Sequence, residues 1–224
     1  MDIRLDSGKY SEVRIVCRDE SWTVHRIVMS GKSSVFKRLI DELPGASHPS
    51  QNRPETMLTL KKDANPGVID LTGYDPNIVD KMLRFIYRGI YDDERETAPR
   101  FDPTTYLSPG QARLNGEALI VNIKLYNLAE KFGLHELMEV AVLQYTSIVR
   151  ELWDTPSFER SIKMLYGPKA DEAQGRGLRN ATASVIAHNV GELMDSKPFR
   201  AVLNLYGELA TEVLSMVVSG QRAR

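Results

Sequence analysis

Glu12-Val13-Arg14-Ile15-Val16-Cys17, a short polar step, and then Trp22-Thr23-Val24-His25 is the stretch on which the fold turns. Val13, Ile15 and Cys17 alternate with Arg14, Val16 and Arg18. A period of two in a β-branched run predicts a strand with one buried face. Asp19-Glu20-Ser21 reads as the turn, and Trp22 to His25 as the hairpin partner. Arg26 to Met29 then reads as a short helix interrupted by Ser30-Gly31.

Working outward, Ser33 is placed to cap a helix through Ile40, with Val35, Phe36, Leu39 and Ile40 on one face. Pro44 stops it, and 45–54 has the Gly, Pro, Ser and Asn content of a loop. Thr56 to Leu60 and Val68 to Leu71 are two further strand candidates; the second is the better choice for the main sheet. Asp75-Pro76 suits a cap followed by proline in the first turn, and Gly89 is placed to end that helix. Residues 92–116 are charged, then rich in Pro, Gly and Thr. So long a connection is uncommon inside a compact domain, which predicts an insertion, a mobile arm or a partner-binding segment. Beyond it the pattern is helical: Glu117 to Phe132, closed by Gly133; Leu134 to Trp153; Pro156 to about Tyr166. Leu178 to Asn189 and Glu192 to Gly220 predict two or three more helices, with Val190-Gly191 and Ser196-Lys197-Pro198 as breaks. Strands mixed with short helices, then helices alone, predict an α+β fold with a small mixed sheet and a helical C-terminal extension.

The 224 residues are 42% hydrophobic, enough to build a sizeable core. A formal net charge of -1, with no basic stripe, argues against nucleic acid as partner. Cys17, the single cysteine, cannot form an internal disulfide, which fits a reducing compartment. No apolar run approaches a bilayer-crossing length, and Met1 to Asp6 is too polar for a signal peptide. The expectation is an intracellular protein, cytoplasmic or nuclear, with no membrane partner. Catalytic and metal sets are not legible. His25, His48, His135 and His188 with Cys17 lack the short spacings zinc requires, so no metal and no cofactor are expected. Gly31-Lys32-Ser33-Ser34 lacks the earlier glycine and the strand-to-loop setting of a phosphate-binding loop. Cys17 reads as a small buried hydrophobe with no activating base in sequence reach. The chain is not expected to be an enzyme.

Four phrases, in order, resemble the BTB (POZ) domain family: Ser11-Glu12-Val13; Val24-His25-Arg26-Ile27-Val28-Met29 leading to Ser33-Ser34-Val35-Phe36; Met82 to Tyr91, with Tyr87-Arg88-Gly89-Ile90-Tyr91 at its end; and Leu125-Tyr126-Asn127-Leu128-Ala129-Glu130-Lys131-Phe132. The texture is similar to uncharacterised BTB proteins of filamentous fungi. The resemblance implies a BTB domain over 9–152 with an insertion at about 92–116, and a helical extension over 153–224. It marks Glu12, His25, Phe36, Tyr87, Gly89 and Tyr126 as fold-signature positions, with His25 as a buried structural imidazole near Glu12. It implies a scaffold that self-associates, as a homodimer, and recruits another protein. Alternatives within the resemblance are an adaptor of a cullin-type ubiquitin ligase and a transcription- or chromatin-associated interaction protein. Glu12 stands where the family usually has Asp, and no cullin-binding phrase is clear over Ile90 to Glu94.

Arg88, Tyr91, Asp92 and Asp93 are the candidate partner-binding residues. Tyr87 and Tyr91 read either as core side chains with polar ends or as aromatic contacts in a partner groove. Asp92-Asp93-Glu94 reads either as a solvated acidic loop or as a contact for a basic partner.

Overall fold

A computed structural model of the chain describes residues 13–43, 67–96, 114–168 and 175–222. The candidate strand at Thr56 to Leu60, most of the expected insertion and Glu12 lie outside the described residues. The chain divides into two compact units, one of residues 1–91 with 128–135 and the other of 92–127 with 136–224.

Among the described residues, the first unit is built on a three-stranded sheet of order β2-β1-β3. Strand β1 (Val13–Cys17) pairs antiparallel with β2 (Glu20–Val24), Cys17 facing Glu20 and Val13 facing Val24. It pairs parallel with β3 (Val68–Asp70), Ile15 facing Ile69. The expected alternation holds on β1: Val13, Ile15 and Cys17 are buried while Arg14 is exposed. Strand β2 begins two residues earlier than Trp22. Arg18 takes a left-handed conformation (φ 52°), so Arg18-Asp19 alone turns the chain and Glu20 already pairs. His25 leaves the sheet and precedes helix α1 (Arg26–Lys32), which runs through Ser30-Gly31 rather than stopping there.

Ser33 caps α2 (Ser34–Asp41) as its position predicts: its Oγ accepts the Phe36 N–H at 3.0 Å. The same hydroxyl donates to the carbonyl of Phe132, ninety-nine residues away. Phe36 stacks on Phe132 with ring centroids 4.6 Å apart, and Tyr74 meets Phe132 edge-on at 6.0 Å. Helix α3 (Pro76–Arg88) starts on the Asp75 carboxylate, which accepts the Asn77 N–H at 3.1 Å. It ends at Gly89, whose φ of 72° is the left-handed cap that glycine adopts without a Cβ penalty. Helix α4 (Glu117–Lys131) closes on Gly133 (φ 63°), with paired bonds from Gly133 N to Glu130 O and Leu134 N to Ala129 O, a Schellman end.

The second unit is helical. It takes the first part of α4, most of α5 (His135–Leu152), α6 (Pro156–Tyr166), α7 (Arg176–His188), α8 (Val190–Asp195), α9 (Lys197–Leu205) and α10 (Gly207–Arg222). Thr155 and Ser196 cap α6 and α9 by accepting the N–H three residues on, and each helix carries proline in its first turn. Four helices follow residue 175 among those described, one more than the pattern predicts at most. Val190-Gly191, read as a break, opens the short α8, and a further break falls at Tyr206, just before Gly207. Leu119, Ile123, Tyr145, Ile148, Phe158, Ile162, Leu178, Ile186 and Phe199 build the core of this unit. Among the described residues, no single helix is long and apolar enough to cross a membrane.

Candidate protein-interaction surface

Helix α1 is held at its start by one side chain of α3. The Tyr87 hydroxyl accepts the His25 backbone N–H at 2.8 Å and lies 3.0 Å from His25 Nδ1. Burial pushes the Tyr87 phenol above its ordinary pKa, and the bond from His25 only partly offsets this. His25 is half-buried rather than buried: it lies just beyond the edge strand β2, and its Nδ1 faces the Tyr87 hydroxyl. A second tie runs from β2 to α3: Trp22 Nε1 donates to Asp80 at 3.2 Å, and Asp80 also accepts from Arg84 Nε.

On the helix so positioned, Met29 is buried while Ile27 is 82% exposed. One turn on, Gly31 has open space where a Cβ would stand, so the face beyond Ile27 is low and accessible. Lys32 at the end of α1, and Lys37 and Arg38 on α2, are also exposed. The end of α3 presents a second exposed aliphatic side chain. Gly89 turns the chain out of the helix, and Ile90, next in sequence, is 68% exposed between exposed Arg88 and Asp92.

The four candidate partner residues divide. Arg88 and Asp92 are exposed, whereas Tyr91 and Asp93 are buried. The Tyr91 ring meets Phe85 edge-on at 6.3 Å, so it serves as core in this chain. Asp93, in the second unit, is gripped by Arg95 from Nε (3.0 Å) and NH2 (2.8 Å) and by Asn122 Nδ2 (3.0 Å). Burial alone would raise its pKa, but these hydrogen bonds and the Arg95 charge outweigh it and hold the carboxyl below the usual range. Arg95 also donates to Ser147 Oγ at 3.0 Å, and its carbonyl accepts the Asn115 N–H at 2.9 Å. Asp93 thus fixes Arg95, whose backbone pairs with Asn115 just before α4.

Of the fold-signature positions, His25 and Tyr87 meet, Phe36 packs on Phe132, Gly89 takes its left-handed conformation, and Tyr126 is buried on α4. Cys17 is buried, and its thiol donates to the Tyr74 carbonyl at 3.5 Å; burial pushes its pKa up, away from a nucleophilic thiolate. Among the described residues, no three His, Cys, Asp or Glu side chains are grouped to hold a metal ion. Ile27 and Ile90 escaped sequence reading because both sit in apolar helical phrases, where burial is the default.

A model of the BTB/POZ domain family matches residues 2–101. The first unit, a small mixed sheet flanked by helices, has the α+β fold of a BTB domain, which is a protein–protein interaction module. The phrase Leu125 to Phe132 lies beyond the matched residues, yet Leu128–His135 packs within the same unit as 1–91. Comparison with curated proteins finds no match.

Proposed function

We propose that this protein is an interaction scaffold that self-associates through α1 of its BTB unit and recruits a second protein through the residues that follow α3. The observation that carries it is Ile27, 82% exposed on a helix whose start is fixed by Tyr87. Burying an isoleucine side chain contributes about 2 kcal/mol, and a two-fold symmetric contact counts it twice. The open space at Gly31 lets a second helix come close. The test is sedimentation over a range of concentrations. The native chain self-associates, and Ile27→Glu weakens that association with unchanged helix content. A native chain that stays monomeric at high micromolar concentration overturns the proposal.

Adaptation to a cullin-type ubiquitin ligase is a second reading, favoured by Ile90, 68% exposed between Arg88 and Asp92. Purified cullin amino-terminal domain, titrated onto the folded native chain, binds under this reading and loses affinity about tenfold or more with Ile90→Asp. Absence of binding to the native chain sinks it. A reducing compartment, cytoplasm or nucleus, is the proposed location, and imaging of the tagged chain separates a cytoplasmic scaffold from a chromatin-associated one.

A further inference from the structure

Helix α10 is docked inside the second unit by its inner face. Leu209 and Val213 are buried, and two carboxylates one turn apart reach buried polar groups. Glu208 Oε1 accepts from NH1 of Arg179 at 2.8 Å, and Glu212 accepts the Tyr166 hydroxyl. Arg179 is 3% exposed, stacks over the Tyr166 ring at 4.8 Å and donates from Nε to the Leu165 carbonyl.

The join between α9 and α10 is a single residue. Tyr206 (φ −118°, ψ 81°) breaks the helix, and the two axes differ by 106°. The bonds flanking the break survive as helical ones: Tyr206 N to Val202 O at 3.1 Å and Ala210 N to Tyr206 O at 3.2 Å. Tyr206 carries none of the short acceptor side chains that cap a helix start. The apolar positions take no notice of the break. Phe199, Val202, Tyr206, Leu209, Val213 and Met216 are spaced alternately three and four residues apart, an unbroken heptad stripe. Two independent helices meeting at such an angle have no need to keep phase; one continuous helix does.

We propose that α9 and α10 are halves of one latent helix, and that straightening at Tyr206 exchanges α10 between two copies of this chain. The occupant of the groove formed by α6 and α7 is then the α10 of the second copy. Its fit is assured by identity: Glu208 meets Arg179 and Glu212 meets Tyr166 across the copies as they do within one. Straightening also places the N–H groups of Gly207, Glu208 and Leu209 opposite the carbonyls of residues 203–205 in helical register. This pairing is separate from the α1 contact.

The test uses the full chain carrying Ile27→Glu, so that loss of the α1 contact does not bear on the outcome. Arg179→Glu and Glu208→Arg each place like charges at the contact within one chain; exchange between the two variants restores opposite charges at both sites. Co-expressed with different tags, the two are recovered together at twice the monomer mass, while each alone is not. Failure to recover them together, with the doubly substituted R179E/E208R chain folded, overturns the proposal. Should the single variants misfold, Gly207 decides. Gly207→Pro retains the bent join, since proline suits the first helical position and Tyr206 already has a non-helical ψ. Gly207→Ala favours a continuous helix. Dimer is lost with Gly207→Pro, and its association constant rises up to about fivefold per join with Gly207→Ala. Equal association of these two variants, or monomer throughout, overturns the proposal.

Discussion

The Tyr87 hydroxyl accepts the backbone N–H of His25 at 2.8 Å across sixty-two residues of sequence, tying the start of α1 to the last turn of α3. Tyr87→Phe keeps the ring and removes the acceptor. Because the bond is only part-buried, water replaces some of what is lost. A destabilisation of about 1 kcal/mol is expected, read as a lower urea midpoint with unchanged slope. A loss below a few tenths would mean that the tie contributes nothing net.

Ser33 serves two ends with one hydroxyl. It caps α2 through Phe36 N–H and donates to the buried Phe132 carbonyl. Ser33→Ala removes the cap and strands that carbonyl, at a cost of about 2–3 kcal/mol. Ser33→Thr retains both groups and is expected to recover most of the loss. Thermal melts of the two variants side by side measure the difference.

Asp93 has its pKa held down by Arg95 and Asn122. A carboxyl depressed in the folded state contributes stability that is present above the ordinary aspartate range and lost as pH falls through the folded value. Acid unfolding of the native chain therefore includes a contribution below about pH 4. Asp93→Asn removes that contribution and the Asp93–Arg95 ion pair. Arg95 is partly exposed, so the cost at neutral pH is about 2 kcal/mol rather than that of a fully buried pair. Urea midpoints of the two proteins converge as the pH is lowered.

Tyr145 and Tyr166 respond at the other end of the pH scale. Burial raises both, and Glu212 raises Tyr166 further. The folded state holds their protons after the unfolded chain begins to release them. The stability they contribute is therefore full below the unfolded tyrosine value, near 10, and is lost as pH rises above it. Urea midpoints taken from pH 8 to 11 fall on the alkaline side. Tyr145→Phe, which cannot ionise, shows a shallower fall despite leaving Ser161 and Thr182 without their shared partner at neutral pH.

Local chemistry was legible wherever one short segment decides it. The alternation of Val13, Ile15 and Cys17, the capping positions of Ser33 and Asp75, and the left-handed end at Gly89 rest on side chains within a few residues of the backbone they serve. The surface was less legible. Tyr91 and Asp93 are polar enough to suggest a partner, yet one packs on Phe85 and the other satisfies Arg95 and Asn122. Burial depends on what other segments bring to a residue, and neither Phe85 nor Asn122 declares its destination in sequence.

By itself, the sequence determined an α+β fold, because strand periodicity, caps and glycine stops are short-range effects that no distant contact needs to complete. Tertiary structure alone decided which polar groups pair at long range: His25 with Tyr87, Ser33 with Phe132, Arg179 with Glu208. It also decided that the heptad stripe from Phe199 to Met216 bends at Tyr206 instead of running straight. The physical reason is the same in each case. A buried hydrogen bond or a docked helix face is stabilised by partners that folding delivers from far along the chain.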